Sequence, residues 1–446
     1  MTSLRLKSDS PLNNEQFTFG VATSSYQIEG DRAARLETIW DKFCEGEGNI
    51  ADGSNGDVAC EHIKHWQQDV QMIAGLGVDA YRFSVAWGRI LNRDGSINER
   101  GLKFYVSLLD KLKKLGIKAY VTLYHWDLPQ YLEDAGGWLN RDTAFAFANY
   151  VDVVSREFGN RVYSYATLNE PWCSAYLGYE AGIHAPGLKS KQFGKQAAHH
   201  LLLAHGLAMQ VLAKNSPSSK NGIVLNFSPC YAASSSEQDV AAARLADEHF
   251  NQWYIRPLLE GRYPDAINDM SDIHKPIIES GDMSVICQPI DYIGVNYYSR
   301  AIYQHCDEDG FKVKAPETMC LTDMGWEIYP EGLYKLLTDL NRRYQLPEVI
   351  ITENGAAMKD ELVAGVIDDQ DRIAYLQTHL AAIEKAIGAG VDVSGYFAWS
   401  LMDNFEWAEG YKKRFGIVYV DYKSQKRTLK QSAKAYRDML LGRLHK

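Results

Sequence analysis

The sequence predicts an α/β fold in which eight parallel strands, each followed by a helix, close into one (β/α)8 TIM barrel. Three observations predict it. Short apolar segments alternate with stretches of helical period, glycine ends several of those helices just before a Val- or Ile-led strand, and no linker interrupts the alternation. The first strand covers 17–22. A helical face of Ile63, Trp66, Val70 and Ile73 then runs to Gly77, after which residues 80–85 form the second strand. Leu102, Tyr105, Leu109, Leu112 and Leu115 make the next stripe, stopped by Gly116, and 119–124 is the third strand. Strands at 163–168, 222–227, 292–298, 349–352 and 395–399 complete the set. Helical patterns lie near 141–158, 195–213, 238–259, 331–344 and 370–387, with a last one near 428–442.

Strands this apolar need cover on both faces, as a parallel sheet provides. A doubly wound open sheet is the structural rival. Its Gly-x-Gly-x-x-Gly turn is absent after the first strand, and eight evenly distributed units favour closure. The length of 446 residues suggests about three domains as a prior, but α/β barrels exceed that prior as single domains. Without a composition shift or low-complexity tract, 1–446 reads as one domain.

Composition narrows the function. Charged residues at 23% and hydrophobic ones at 46% exclude disordered and fibrous classes, and a net charge of −10 gives no footprint for nucleic acid. The seven cysteines are scattered without a Cys-x-x-Cys pair, which predicts reduced thiols in a cytoplasmic protein. The N-terminal residues lack a signal-peptide apolar region, and no run is long enough to cross a membrane. A homo-oligomer is compatible with the sequence. Ten Trp and 27 Tyr are a surplus that serves either packing or a stacking surface. Asn226-Phe227-Ser228 matches a glycosylation sequon, but it ends an apolar run and is read as a buried chance match.

In such a barrel the chemistry sits at the C-terminal rim of the strands. That rim holds Gln27, Arg82, His125-Trp126, Asn169-Glu170, Asn296, Tyr298, Glu353-Asn354 and Trp399, with Glu406-Trp407 just beyond. Glu170 and Glu353 each follow an apolar strand directly, where an unpaired carboxylate is costly. Each is therefore either in an ion pair, with Arg82 as a candidate partner, or in the chemistry. Two carboxylates across a pocket suit acid/base and nucleophilic work, and Trp, Asn, Gln and His around them suit a sugar. No metal or cofactor is expected: the chain has no His-x-x-x-His helix motif and no Walker loop, and His199, His200 and His205 read as a polar patch on a helix.

The motifs resemble the family 1 glycoside hydrolases, especially bacterial β-glucosidases. The likeness runs from Phe19-Gly20-Val21-Ala22 through Tyr81-Arg82-Phe83-Ser84, His125-Trp126-Asp127-Leu128-Pro129 and Thr167-Leu168-Asn169-Glu170-Pro171. It continues with Asn296-Tyr297-Tyr298, Ile351-Thr352-Glu353-Asn354-Gly355 and Phe397-Ala398-Trp399-Ser400 to Glu406-Trp407. The resemblance implies a retaining double displacement, with Glu353 as nucleophile, Glu170 as acid/base, and Arg82 and Tyr298 supporting Glu353. It also implies that the charge of Glu353 raises Glu170. Asn169 is expected at the sugar 2-hydroxyl. Gln27, His125, Trp126, Asn296, Glu406 and Trp407 are expected around the glycone, with Trp399 as its floor and Trp326 and Trp172 as aglycone walls. The expected substrate is a terminal β-glucoside such as cellobiose or an aryl glucoside. β-Galactosidase or β-fucosidase activity shares most of this pocket. Relatives acting on 6-phosphorylated glycosides carry Ser where Glu406 stands, so the free sugar is favoured despite Lys412 and Lys413. A non-catalytic sugar-binding protein is the alternative from another class, and the intact glutamates argue against it.

Overall fold

The computed structural model describes residues 4–444; Met1 to Ser3, the first residues of the N-terminal reading above, and the final two lie outside them. Eight parallel strands close into a barrel in chain order: β1 (Thr18–Ala22), β2 (Ala80–Ser84), β3 (Lys118–Thr122), β4 (Ser164–Asn169), β5 (Lys220–Asn226), β6 (Tyr292–Asn296), β7 (Glu348–Asn354) and β8 (Val393–Trp399). β8 pairs with β1, placing Ala22 beside Trp399, and β2 pairs with β1 on the other side, placing Ala22 beside Arg82. All eight predicted strands are barrel strands. Every residue of β1, β2, β4 and β6 is buried, as a sheet covered on both faces requires.

The outer layer follows the apolar stripes. Helices α1 (His62–Gly75), α2 (Glu99–Lys114), α3 (Asp142–Phe158) and α4 (Lys191–Asn215) follow in order, and on α2 Leu102, Tyr105, Leu108, Leu109 and Leu112 are buried. Asn98 caps α2 by accepting from the Gly101 amide, while Lys111, Lys113 and Lys114 occupy its last turn, where the helix dipole favours cations. Gly116, at φ 71°, turns the chain out of that helix in a left-handed conformation that favours glycine.

The expected helix over 238–259 divides into α5 (Glu237–Asp247) and α6 (Trp253–Glu260) around a wider π-helical turn. There the Asp247 carboxylate accepts from the Asn251 and Gln252 side chains. Beyond it lie α7 (Pro330–Arg343), α8 (Gln370–Gly388) and α9 (Gln431–Leu444). The last helix starts later than its pattern suggests, because Arg427–Leu429 pairs antiparallel with Val418–Val420.

The barrel is plugged rather than hollow. Tyr120, Tyr292, Ile350 and Phe397 pack inside it with Ala22, Ala80 and Trp399. The Phe397 ring fits because β1 carries Gly20, where an added Cβ would lie 2.3 Å from Cε1 of that ring. On this apolar plug stand the polar residues at the strand ends.

Candidate active site

Glu353, near the end of β7, lies in register with Asn296 of β6. Arg82 of β2, only 2% exposed, donates from Nη1 to Oε1 of Glu353 at 2.5 Å and from Nη2 to Oδ1 of Asn169 at 2.7 Å. The Tyr298 hydroxyl donates to Oε2 of Glu353 at 2.6 Å. Both oxygens of this carboxyl are therefore held, one by a charge-assisted bond of the strong class. The alternation along the chain past β6 turns Tyr298 to Glu353 and sends Tyr297 outward to the Tyr329 carbonyl.

Glu170 follows β4 with φ 46°, a left-handed conformation that costs a residue bearing Cβ on the order of 1–2 kcal/mol. Its Oε1 accepts from Nδ2 of Asn296 at 2.6 Å and its Oε2 from the Cys173 thiol at 3.1 Å. Burial first, and the charge of Glu353 second, push this carboxyl up to about 8, against Asn296, Cys173 and the field of Arg82. The motifs implied that the charge of Glu353 raises Glu170, as it does; burial adds the larger cause. The two carboxyls thus stand in opposite surroundings, one on a guanidinium and a phenol, the other on an amide and a thiol. Such divergence assigns two carboxyl groups to different proton-transfer roles.

Above them opens a cavity of about 720 Å³, lined by His125, Trp126, Glu170, Trp172, Asn296, Tyr298, Trp326, Glu353, Trp399, Glu406 and Trp407 among others. The His125 ring lies nearly parallel to Trp399 and to Trp407, at 5.8 and 5.9 Å between centroids. Burial and Arg82 hold His125 well below the usual histidine range, so the ring is neutral. Its Nδ1 and the Oε2 of Glu406 are buried without a protein partner. Buried polar atoms are rarely left so, and both are of the type that sugar hydroxyls satisfy. Burial, then the charges of Glu353, Glu170 and Glu409, push Glu406 up to about 8. Trp126 and Trp407 both have positive φ, 76° and 49°, so backbone strain concentrates around this pocket with Glu170. Nearer the mouth, Trp172 stacks on Tyr176 at 5.0 Å, and Trp326 lies tilted against Tyr298 at 5.5 Å.

Three predicted residues sit in the layer beneath the lining. Arg82 and Asn169 brace the carboxyls, with Nδ2 of Asn169 also 3.2 Å from Nε2 of His125. Gln27 is fully buried; its amide Nε2 donates to Oδ1 of Asn404 and to the Phe405 carbonyl, and its Oε1 accepts from the Ser24 hydroxyl. One acceptor lone pair remains to its amide.

Other lining residues escaped the sequence reading. Asn226 ends β5 and lines the cavity, half-buried, so the reading of its sequon as buried is corrected: Ser228 is exposed. The rule that polar strand ends mark the rim would have found it. Cys173 and Phe415 carried no signal in sequence, because only folding brings them to the wall. The three histidines of α4 are also corrected from a polar patch to core groups. His199 bonds Tyr263 and Asp282, His200 the Trp138 carbonyl and His205 the Thr167 hydroxyl, all buried. Among the described residues, no group of three or more His, Cys, Asp or Glu side chains is placed to hold a metal ion.

The family model for glycosyl hydrolase family 1 matches residues 11–442. β-Glucosidase A of Thermotoga maritima is 45% identical over 433 residues, covering 96% of this chain and 97% of that protein. A bifunctional β-D-glucosidase/β-D-fucosidase of Bifidobacterium breve is 42% identical, covering 94% and 96%. The solved structure of a Thermotoga maritima family 1 glycoside hydrolase, complexed with a cyclophellitol analogue transition state mimic, superposes with a TM-score of 0.93. It is 44% identical, covering 96% of this chain and 98% of that one.

Proposed function

This chain belongs to glycosyl hydrolase family 1 and is a glycoside hydrolase; from that premise we propose a retaining β-glucosidase that removes terminal non-reducing glucose from cellobiose-like and aryl β-glucosides. The observation that carries the reading is the contrast between the two carboxyls. Glu353, fixed at both oxygens by Arg82 and Tyr298, is the nucleophile and attacks the anomeric carbon. Glu170, pushed up to about 8, holds its proton at neutral pH and gives it to the departing aglycone oxygen. Once Glu353 is esterified its charge is gone, so one cause of the raised Glu170 disappears. Glu170 then takes a proton from water, which attacks the glycosyl-enzyme and regenerates Glu353.

The glycone lies on Trp399 and within reach of His125, Trp126, Asn169, Asn296, Glu406, Trp407 and Gln27, while Trp172 and Trp326 flank the aglycone. A free rather than a 6-phosphorylated sugar fits this wall. Glu406 lines it, whereas Lys412 donates to the Ala51 carbonyl and Lys413 to Asp323. Activity on β-fucosides is the second reading, favoured by the bifunctional relative. Free cysteines throughout support a reducing compartment such as the cytoplasm.

The test is Glu353→Gly on a nitrophenyl β-glucoside. Hydrolysis should vanish, and azide should restore turnover with an α-glucosyl azide as product. Rescue that yields the β-azide would overturn the assignment.

A further inference from the structure

Glu170 is reached by one group that the double displacement does not use. Cys173 begins the π-helical segment Cys173–Glu180, and its amide donates to the Glu170 carbonyl at 2.9 Å. That short loop brings the thiol back beneath the carboxyl, where Sγ lies 3.1 Å from Oε2. The side chain is 6% exposed and lines the cavity wall. Asn296 holds the other oxygen at 2.6 Å.

We propose that Cys173 is a positioning residue for the reaction: its thiol, with the Asn296 amide, fixes the plane of the Glu170 carboxyl and favours the ionised form that activates water in the second step. The proposal rests on the assignment of Glu170 as acid/base. A thiol is a weak donor, but it has no competing partner here and points at the oxygen of a carboxyl that burial penalises when charged. Burial, the charge of Glu170 and its bond to Glu170 hold the Cys173 thiol well above the usual range. It therefore remains S–H, able to donate, and is a poor nucleophile. The donation is worth most when Oε2 carries no proton, so it works against the forces that keep Glu170 protonated. The other groups acting on Glu170 are Glu353, which raises it, and Arg82, which lowers it; Glu406 and Tyr298 face the same space. All four are left in place by a change at Cys173.

The experiment measures kcat/KM against pH for an alkyl β-glucoside, whose poor leaving group needs the acid, in the wild type and in Cys173→Ala, Cys173→Val and Cys173→Ser. Ala removes the donor, Val removes it while filling the space, and Ser restores one. The basic limb should move upward on the order of half a pH unit in the Ala and Val proteins. In the Ser protein it should stay at or below the wild-type position. Coincident limbs in all four proteins, or a downward move in Ala and Val, overturn the proposal. Glu170→Gln is measured alongside. Survival of the basic limb in that protein would show that Glu170 is not the acid, and the functional reading itself would fail.

Discussion

Glu406→Gln should stabilise the folded protein at neutral and alkaline pH. The side chain is half-buried with its Oε2 buried and without a hydrogen-bond partner among the described residues, and the ionisable groups acting on it, Glu353, Glu170 and Glu409, are all acidic. Its carboxyl ordinarily titrates near 4.5 and is pushed up to about 8. A raised carboxyl binds its proton more tightly folded than unfolded, so between these two values the unfolded chain gains more from ionising. The penalty is near zero at pH 4, about 3 kcal/mol at pH 7 and levels off at about 5 kcal/mol above pH 8.

A glutamine has the same shape and does not titrate, so the variant should be the more stable protein, increasingly so with pH. An unfolding entropy of roughly 2.1 cal/mol/K per residue, over 446 residues, gives about 0.9 kcal/mol/K. The variant should then melt about 3 °C higher at pH 7 and about 5 °C higher at pH 9. Thermal melts of both proteins from pH 4 to 9 measure the difference. Activity should move the other way, since a glutamine keeps only one acceptor oxygen and losing one neutral hydrogen bond to a sugar hydroxyl costs about 0.5–1.5 kcal/mol, or roughly 2- to 10-fold in kcat/KM. A melting difference that is flat with pH, or a variant that melts lower at pH 8, would refute the reasoning.

Two further outcomes are expected. Glu170→Gln keeps its contacts with Asn296 but has no proton to give, so kcat/KM for cellobiose should fall about 10²–10⁴-fold; an activated dinitrophenyl glucoside should be much less affected, and equal losses on both substrates would contradict the acid role. Lys430, wholly buried, bonds Asp360 at 2.5 Å and Asp403 at 2.7 Å. Lys430→Met leaves Asp360 with Arg372 and Asp403 with Arg414 and the Gly416 and Val420 amides, and should destabilise by about 3–5 kcal/mol, read as a melting temperature lower by several degrees.

The barrel was legible in sequence because its two signals are local. A parallel strand covered on both faces is a continuous apolar run, and an outer helix is a stripe of period 3.6, so all eight strands fall within a few residues of their expected places. The π-helical turn after Asp247 was not legible, because its widening depends on which side chains reach one carboxylate. The same limit hid the environment of the α4 histidines. His199 is a core group because Asp282 and Tyr263, far along the chain, close around it.

By itself the sequence determined the barrel, the rim and the pair of glutamates at strand ends, since strand direction alone carries every such residue to the same end. What separates the two glutamates was decided only by the tertiary structure. Arg82 from the second strand and Tyr298 from beyond the sixth converge on Glu353, while Asn296 and Cys173 converge on Glu170. A carboxyl's affinity for its proton is set by burial and by charges within a few ångströms, and those neighbours are up to 271 residues apart in the chain.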